Sequence, residues 1–419
     1  MTLPDDFVRD LLDRLRPANQ AVARRYPGDG GARQPIHTVY GGAHLFTVDT
    51  FARLGERARR ALDLDAPDEE TFAAAMGLTP EVGAKVLPRV RAKLAREPVE
   101  DYRLDFEDGY GTRPDAEEDA HAVSAAAELA AAVSPPFVGI RIKAFTDELA
   151  ARSIRTLDRF VTTLVERAGA LPAGFTVTLS KITVPEQVAA LAAVLGALEE
   201  RLGLSGLTME LMVETPQCIF DLARLASASA GRCRGAHFGT YDYTAGCDVT
   251  AAHQRMRHPA CDFAKQVMKA TLAGTGVWLS DGSTIVFPTG DRAAVHAAWR
   301  LHADDVRDSL MAGFYQGWDL HPAQLPSRYA AVYGFFVEGL PAATARLQNY
   351  LAQTTKAAPA GEIADEIATG QALLGFFLRG LSCGAITEEE VRATGLTVDE
   401  MRGRSFAAIL RGRRAQLPR

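Results

Sequence analysis

Eight short runs rich in apolar and β-branched residues recur along this 419-residue chain, and nearly all of them lead into a stretch with helical spacing. The runs fall at 36–40, 102–106, 137–142, 175–179, 207–213, 235–238, 284–287 and 315–320. Strands that alternate with helices call for parallel pairing, because a parallel connection needs a crossover about as long as a helix. Eight such units is the number that closes a barrel. The expected class is therefore α/β, a (β/α)8 TIM barrel. An open doubly wound sheet shares the alternation, but no G-x-G-x-x-G follows the first run.

The barrel is expected over 1–325, with a polar helical insertion near 65–98 that contains a helix start signal at Thr79-Pro80. Beyond 326 the pattern is helical only, at 329–338, 342–353 and 363–381, then less regular to 414. Residues 326–419 thus read as a C-terminal helical appendage. Its several apolar faces suggest subunit contacts, and a homo-oligomer is expected. A net charge of −6 argues against a nucleic-acid surface. Five cysteines with no C-x-x-C pair fit reduced thiols. The start, Met1-Thr-Leu-Pro-Asp-Asp, lacks the apolar segment of a signal peptide. No apolar run reaches the roughly 18–20 residues of a membrane span. A cytoplasmic protein is expected.

In such a barrel the chemistry sits at the carboxyl ends of the strands. Those ends read Gly41-Gly42, Glu107-Asp108, Arg141-Ile-Lys143, Ser180-Lys181, Glu214, Asp242, Pro288 and His321, a list rich in charge. Glu214 closes an apolar run, and Asp242 follows a second run after a glycine. A buried charge is costly unless it is paired or binds a metal. Two acids at the ends of consecutive strands converge, and a hard cation such as Mg²⁺ suits such oxygens. Capping of helices by the same carboxylates is the plainer reading. Arg141 can grip a substrate carboxylate in a bidentate way, or tie strands together through Glu107 or Asp108. Lys181 reads as a second cation, as a Schiff-base nucleophile if desolvated, or as a structural ion pair. Glu107 and Asp108 are neighbours, so in extended chain they point to opposite sides and at most one faces the mouth. The other groups of interest are Gly41, Gly42 and His44 as a binding loop, and His321 as a base or a loop-bonded histidine. Cys247 reads as a small buried thiol rather than a nucleophile. No H-x-x-x-H pair supports zinc.

Leu104-Asp-Phe-Glu-Asp108, Gly139-Ile-Arg-Ile142, Leu179-Ser-Lys181, Met212-Val-Glu-Thr215, Phe238-Gly-Thr-Tyr-Asp-Tyr243 and Leu320-His-Pro-Ala-Gln324 occur in an order that resembles the citrate lyase β-subunit-like superfamily. That group includes malyl-CoA and citramalyl-CoA lyases and the HpcH/HpaI-type aldolases. The segment around Asp242 also resembles malate synthase, and His258-Pro-Ala-Cys-Asp-Phe-Ala264 is similar to the helix that follows. The likeness spans roughly 36–330. It implies Mg²⁺ held by Glu214 and Asp242, and Arg141 on the carboxylate or keto acid of the substrate. It further implies reversible carbon–carbon cleavage or condensation through an enolate. The catalytic candidates are Arg141, Lys181, Glu107 and Asp108, with Arg141, Gly41, Gly42, His44 and His321 binding substrate. Departures lie at Tyr40-Gly-Gly-Ala-His44, in the 65–98 insertion and in the 244–257 loop, which would shape a coenzyme A site. The family's catalytic acid from the C-terminal segment has three candidates here, Glu362, Asp365 and Glu366, with none preferred.

The leading expectation is a Mg²⁺-dependent lyase or aldolase acting on a 2-keto or 3-hydroxy acid, free or as a CoA thioester. Phosphoryl transfer on phosphoenolpyruvate would suit the same pocket, although no P-loop is present. A degenerate barrel kept as a binding subunit is the reading outside catalysis.

Overall fold

A computed structural model describes residues 2–28, 30–354, 363–403 and 405–415. A first helix, α1 (Asp5–Arg25), precedes β1 (His37–Gly42), α2 (Thr50–Asp65), α3 (Glu69–Met76) and α4 (Pro80–Arg96). Then come β2 (Asp101–Asp105), α5 (Asp115–Ala131), β3 (Phe137–Ile142), α6 (Ala150–Ala168), β4 (Thr176–Leu179) and α7 (Pro185–Leu202). They are followed by β5 (Thr208–Val213), α8 (Leu222–Ala228), β6 (Cys233–Phe238), α9 (Thr240–Gly246), α10 (Pro259–Leu272), β7 (Trp278–Ser283), α11 (Arg292–Met311) and β8 (Gln316–Asp319). The C-terminal helices are α12 (Leu325–Thr354), α13 (Ile363–Cys383), α14 (Glu388–Arg392), α15 (Val398–Arg402) and α16 (Phe406–Ala415).

The strands pair in sequence order, all parallel, and β8 returns to β1. The chain is a closed eight-stranded α/β barrel with a helical C-terminal segment. Outward-facing Tyr102, Leu104, Val138, Ile140 and Val177 pack under the helices, whose apolar stripes face them, as Leu157, Phe160, Val161 and Leu164 do on α6. The insertion is a helical hairpin. Thr79 caps α4 by accepting the Val82 N–H at 3.3 Å, and Pro80 starts the first turn. The C-terminal segment packs on that hairpin. The Tyr329 hydroxyl donates to the Pro98 carbonyl at 3.1 Å, and Arg89 of α4 pairs with Glu390 of α14 at 2.7 Å.

Inside, the barrel holds ions as well as apolar layers. Arg103 on β2 reaches Glu210 on β5, strands that are not neighbours, so the pair lies within the barrel. Its Nη2 donates to Glu210 at 2.5 Å, and its Nη1 donates to Asp101. Thr178 also donates to Glu210, at 2.9 Å, and Thr38 donates to Asp101 at 2.8 Å. His237 Nε2 lies 3.2 Å from Glu210, while His237 Nδ1 accepts from the Trp318 indole at 2.9 Å. An accepting Nδ1 and a donating Nε2 assign the neutral Nε2–H tautomer.

Two sequence expectations need correction, and one helix has no counterpart in the sequence reading. The seventh strand is Trp278–Ser283, not 284–287. Its polar residues are buried against partners, with Asp281 accepting from Lys265 at 3.2 Å and from Ser309 at 2.6 Å. The apolar residues Ile285, Val286 and Phe287 are instead exposed loop beyond the strand. The expected pair of helices at 329–338 and 342–353 is one helix, α12, running through Pro341. Proline deletes one backbone hydrogen bond and bends a helix without always ending it. Finally, α1 was not read from the sequence.

Candidate active site at the carboxyl ends of the strands

A cavity of about 380 Å³ opens at the carboxyl ends of the strands. Tyr40, Gly41, Gly42, Asp105, Asp108, Arg141, Glu214, Asp242 and Trp318 are among the residues that line it. Gly41 and Gly42 let other chain segments close in. A Cβ on Gly41 would overlap the Tyr102 hydroxyl, and one on Gly42 would overlap the Gly109 carbonyl. Tyr40 and Trp318 stack with ring centres 4.7 Å apart and form an apolar wall. The Arg141 guanidinium lies 5.2 Å from the Tyr40 ring centre, within reach of a cation–π attraction.

Arg141 is held chiefly by Asp105, a residue the sequence reading did not single out. Its Nε and Nη2 donate to the two Asp105 oxygens at 2.8 and 2.5 Å. Asp105 is fixed in turn by accepting the Glu107 and Gly109 N–H groups at 2.9 and 2.8 Å. The remaining Nη1 makes only long contacts, 3.3 Å each to Glu107 and Asp108. Asp108 is half exposed, so an incoming carboxylate can displace it from Nη1 without stranding a buried charge.

The expectation that Glu107 and Asp108 diverge is also corrected. Strand β2 ends at Asp105 and the chain turns, so both acids meet the Lys181 Nζ, at 2.6 and 2.9 Å. Burial pushes the Glu107 carboxyl up to about 7. Burial also acts to raise Asp108, but hydrogen bonding, Arg141 and Lys181 outweigh it and hold Asp108 below the usual range. For Lys181, burial lowers the ammonium, yet Glu214 and Glu107 outweigh it and keep the group raised. The ion pairs of Lys181 with Glu107 and Asp108 favour the charged form and so the electrostatic role.

Glu214 is buried and Asp242 is half exposed. Asp242 lies in the first turn of α9 rather than at the strand end. Glu214 Oε1 accepts the Lys181 backbone N–H at 2.6 Å, and a Cβ on Gly239 would come within 2.7 Å of Oε2. Burial lifts Glu214 to about 7, Arg141 and Lys181 pull it down, and Asp242 pushes it up again. Asp242 therefore opposes the ionisation of Glu214, and a cation between the two carboxylates would relieve that opposition. Among the described residues, no three histidine, cysteine or acidic side chains converge as a metal cluster. Two carboxylates alone fit Mg²⁺, which is held by one or two protein carboxylates and keeps several waters.

The cavity lining does not include His44 or His321. His44 packs edge-on to Tyr110, ring centres 5.4 Å apart, behind the β1 glycines. His321 Nδ1 accepts the Ala323 N–H at 3.2 Å, and the ring stacks on Phe287, so it is the loop-bonded histidine. Cys247 caps α9 and is also absent from the lining. Glu362 lies outside the described residues, as do the side chains of Asp365 and Glu366. Besides Asp105, the sequence reading missed Tyr40 and Trp318. Their one signal is position, since both stand within strands next to ends already marked by Gly41-Gly42 and His321.

Several solved structures resemble this chain. A citrate lyase from Burkholderia xenovorans LB400 is 20% identical, covers 87% of this chain and 97% of its own, and superimposes with a TM-score of 0.57. A Haloferax volcanii malate synthase in a magnesium and glyoxylate complex is 14% identical, covers 72% of this chain and 76% of its own, and scores 0.49. The Mycobacterium tuberculosis protein CitE, solved with magnesium and acetoacetate, is 18% identical, covers 72% of this chain and 91% of its own, and scores 0.43. No protein of curated function matches the sequence significantly. Residues 15–409 match the family described as a domain of unknown function, DUF6986, and the chain belongs to that family.

Proposed function

We propose that this chain is a Mg²⁺-dependent carbon–carbon lyase or aldolase that acts on a 2-keto or 3-hydroxy acid. The reading is supported by one observation above all. Arg141 and two carboxylates, Glu214 and Asp242, line one small cavity, and Lys181, behind that lining, comes within 3.8 Å of Asp242, so that four consecutive strands contribute a charged group.

Glu214 and Asp242 would hold the ion, which when bound supplies Lewis-acid polarisation of a keto oxygen. The chain's own groups carry the rest. Arg141 offers its Nη1 edge to the substrate carboxylate while Asp105 fixes the other edge. That preorganised charge also stabilises the enolate that forms when the carbon–carbon bond breaks. Lys181 stays protonated and adds a second fixed positive charge. The stacked Tyr40 and Trp318 rings shape one wall and exclude water. A volume of about 380 Å³ suits a small acid and not an entire nucleotide thioester, so any coenzyme A moiety would extend outside.

Calorimetric titration of pyruvate, oxaloacetate, glyoxylate and acetyl-CoA, each with and without Mg²⁺, tests the reading. A keto acid should bind only with Mg²⁺, and Glu214→Gln and Asp242→Asn should each abolish the dependence. Binding that ignores both substitutions, or no binding by any of the four with Mg²⁺ present, overturns it.

A further inference from the structure

We propose that α1 is a self-association element, an antiparallel two-helix pairing between two copies of this chain. The helix covers Asp5–Arg25, about 31 Å at about 1.5 Å per residue, and none of its residues is buried. Leu3 just before it, then Phe7, Leu11, Leu12, Leu15 and Val22 along it, are all at least 42% exposed. Phe7, Leu11, Leu15, Ala18 and Val22 follow spacings of four, four, three and four, which place them on one stripe. Pro17 interrupts the helix's own hydrogen bonding. A helix with an interior proline and an uncovered apolar stripe needs a partner to stay ordered in water.

The charge pattern identifies that partner. The first part of α1 carries Asp5, Asp6, Asp10 and Asp13 against one Arg9, whereas the second carries Arg14, Arg16, Arg24 and Arg25 and no acid. Arg14 pairs with Asp10 and Arg16 with Asp13 within the helix, each at 2.8 Å. Asp5, Asp6, Arg24 and Arg25, at the two ends, form no ion pair among the described residues. A helix that is acidic at one end and basic at the other complements a second copy of itself laid antiparallel. A two-fold interface requires such self-complementarity, because the same patch appears on both sides. In that arrangement the acidic first part of one copy lies alongside the basic second part of the other. The proposal does not depend on the active-site reading.

Sedimentation velocity of the full chain across a concentration series tests it, with circular dichroism to verify that each variant keeps its barrel. The wild-type chain should dimerise, and the double variant Leu11→Asp with Leu15→Asp should not. Two charge variants make the test specific. One reverses Asp5, Asp6, Asp10 and Asp13 to arginine, and the other reverses Arg14, Arg16, Arg24 and Arg25 to glutamate. Each alone should associate with itself about tenfold more weakly or worse, and a mixture of the two should recover association. A wild-type chain that stays monomeric at every concentration overturns the proposal. So does a Leu11/Leu15 variant that keeps the wild-type mass, or a mixture that fails to associate.

Discussion

The backbone N–H of Lys181 donates to the Glu214 carboxylate at 2.6 Å from a left-handed backbone, φ 50°. A residue with a Cβ pays about 1 kcal/mol or more to stand there, and glycine does not. The strained turn aims a fixed donor at one oxygen of a buried acid. Lys181→Gly and Lys181→Ala both delete the ammonium, so their difference isolates the backbone. The glycine variant should unfold with about 1 kcal/mol more stability than the alanine variant in urea titration. Equal midpoints would mean that the turn is unstrained.

Asp105 should matter more to the fold than its modest sequence signal implies. Its two oxygens accept two bonds from Arg141 and two from backbone N–H groups. Asp105→Asn keeps the shape but removes the charge opposite a buried guanidinium. Breaking one side of a buried pair typically costs about 3 kcal/mol or more. Chemical denaturation should show a loss of that order, and a loss below about 1 kcal/mol would contradict the described geometry.

The pH dependence at the base of α4 has a definite sign. Burial acts to raise Glu97, but Arg33 and Lys93 outweigh it and hold the carboxyl at about 2. A depressed acid stabilises the fold above its unfolded value, 4.5, and that contribution disappears as pH falls toward 2. Because the group is only partly shielded, about 1 kcal/mol is the expected size after solvent screening. Wild type should exceed Glu97→Gln in stability at pH 6, and the gap should close between pH 4.5 and 2. A gap that stays constant over that window would exclude the linkage.

Gly41 and Tyr102 form a pair whose coupling can be measured. A Cβ on Gly41 would collide with the Tyr102 hydroxyl, and overpacking typically costs about 1–3 kcal/mol. Gly41→Ala should lower the thermal midpoint, and adding Tyr102→Phe should restore part of the loss by removing the oxygen. Strictly additive effects in the double-mutant cycle would mean that the two residues do not touch.

The barrel was readable because its strands are spaced by helices and mostly apolar. Where a strand buries polar groups, that signal inverts. In β7, Ser280, Asp281 and Ser283 point into buried partnerships, so the strand looked like loop and the exposed Ile285–Val286–Phe287 loop looked like strand. Glu214, Asp242, Arg141 and Lys181 were legible because charge at strand ends stands out against apolar runs. Asp105 was not, because its neighbours Glu107 and Asp108 drew the attention and only the three-dimensional turn after Asp105 shows which acid grips Arg141. Tyr40 and Trp318 look like ordinary strand aromatics until the closed barrel brings β1 and β8 together. Helix α1 has the stripe of a packed helix and lacks the packing, so spacing alone says little about its place.

The ions inside the barrel have an evolutionary consequence. Arg103, Asp101, Glu210 and His237 are bonded to one another, with Thr38 and Thr178 adding a bond each to the acids, and Trp318 hangs its indole on His237. Such a floor cannot drift one residue at a time, since any lone replacement leaves a partner stranded away from water. Descendants of this chain would inherit the set whole or replace it whole. Novelty in what the pocket accepts is therefore channelled to the rim, where the exposed 284–287 loop can change one residue at a time.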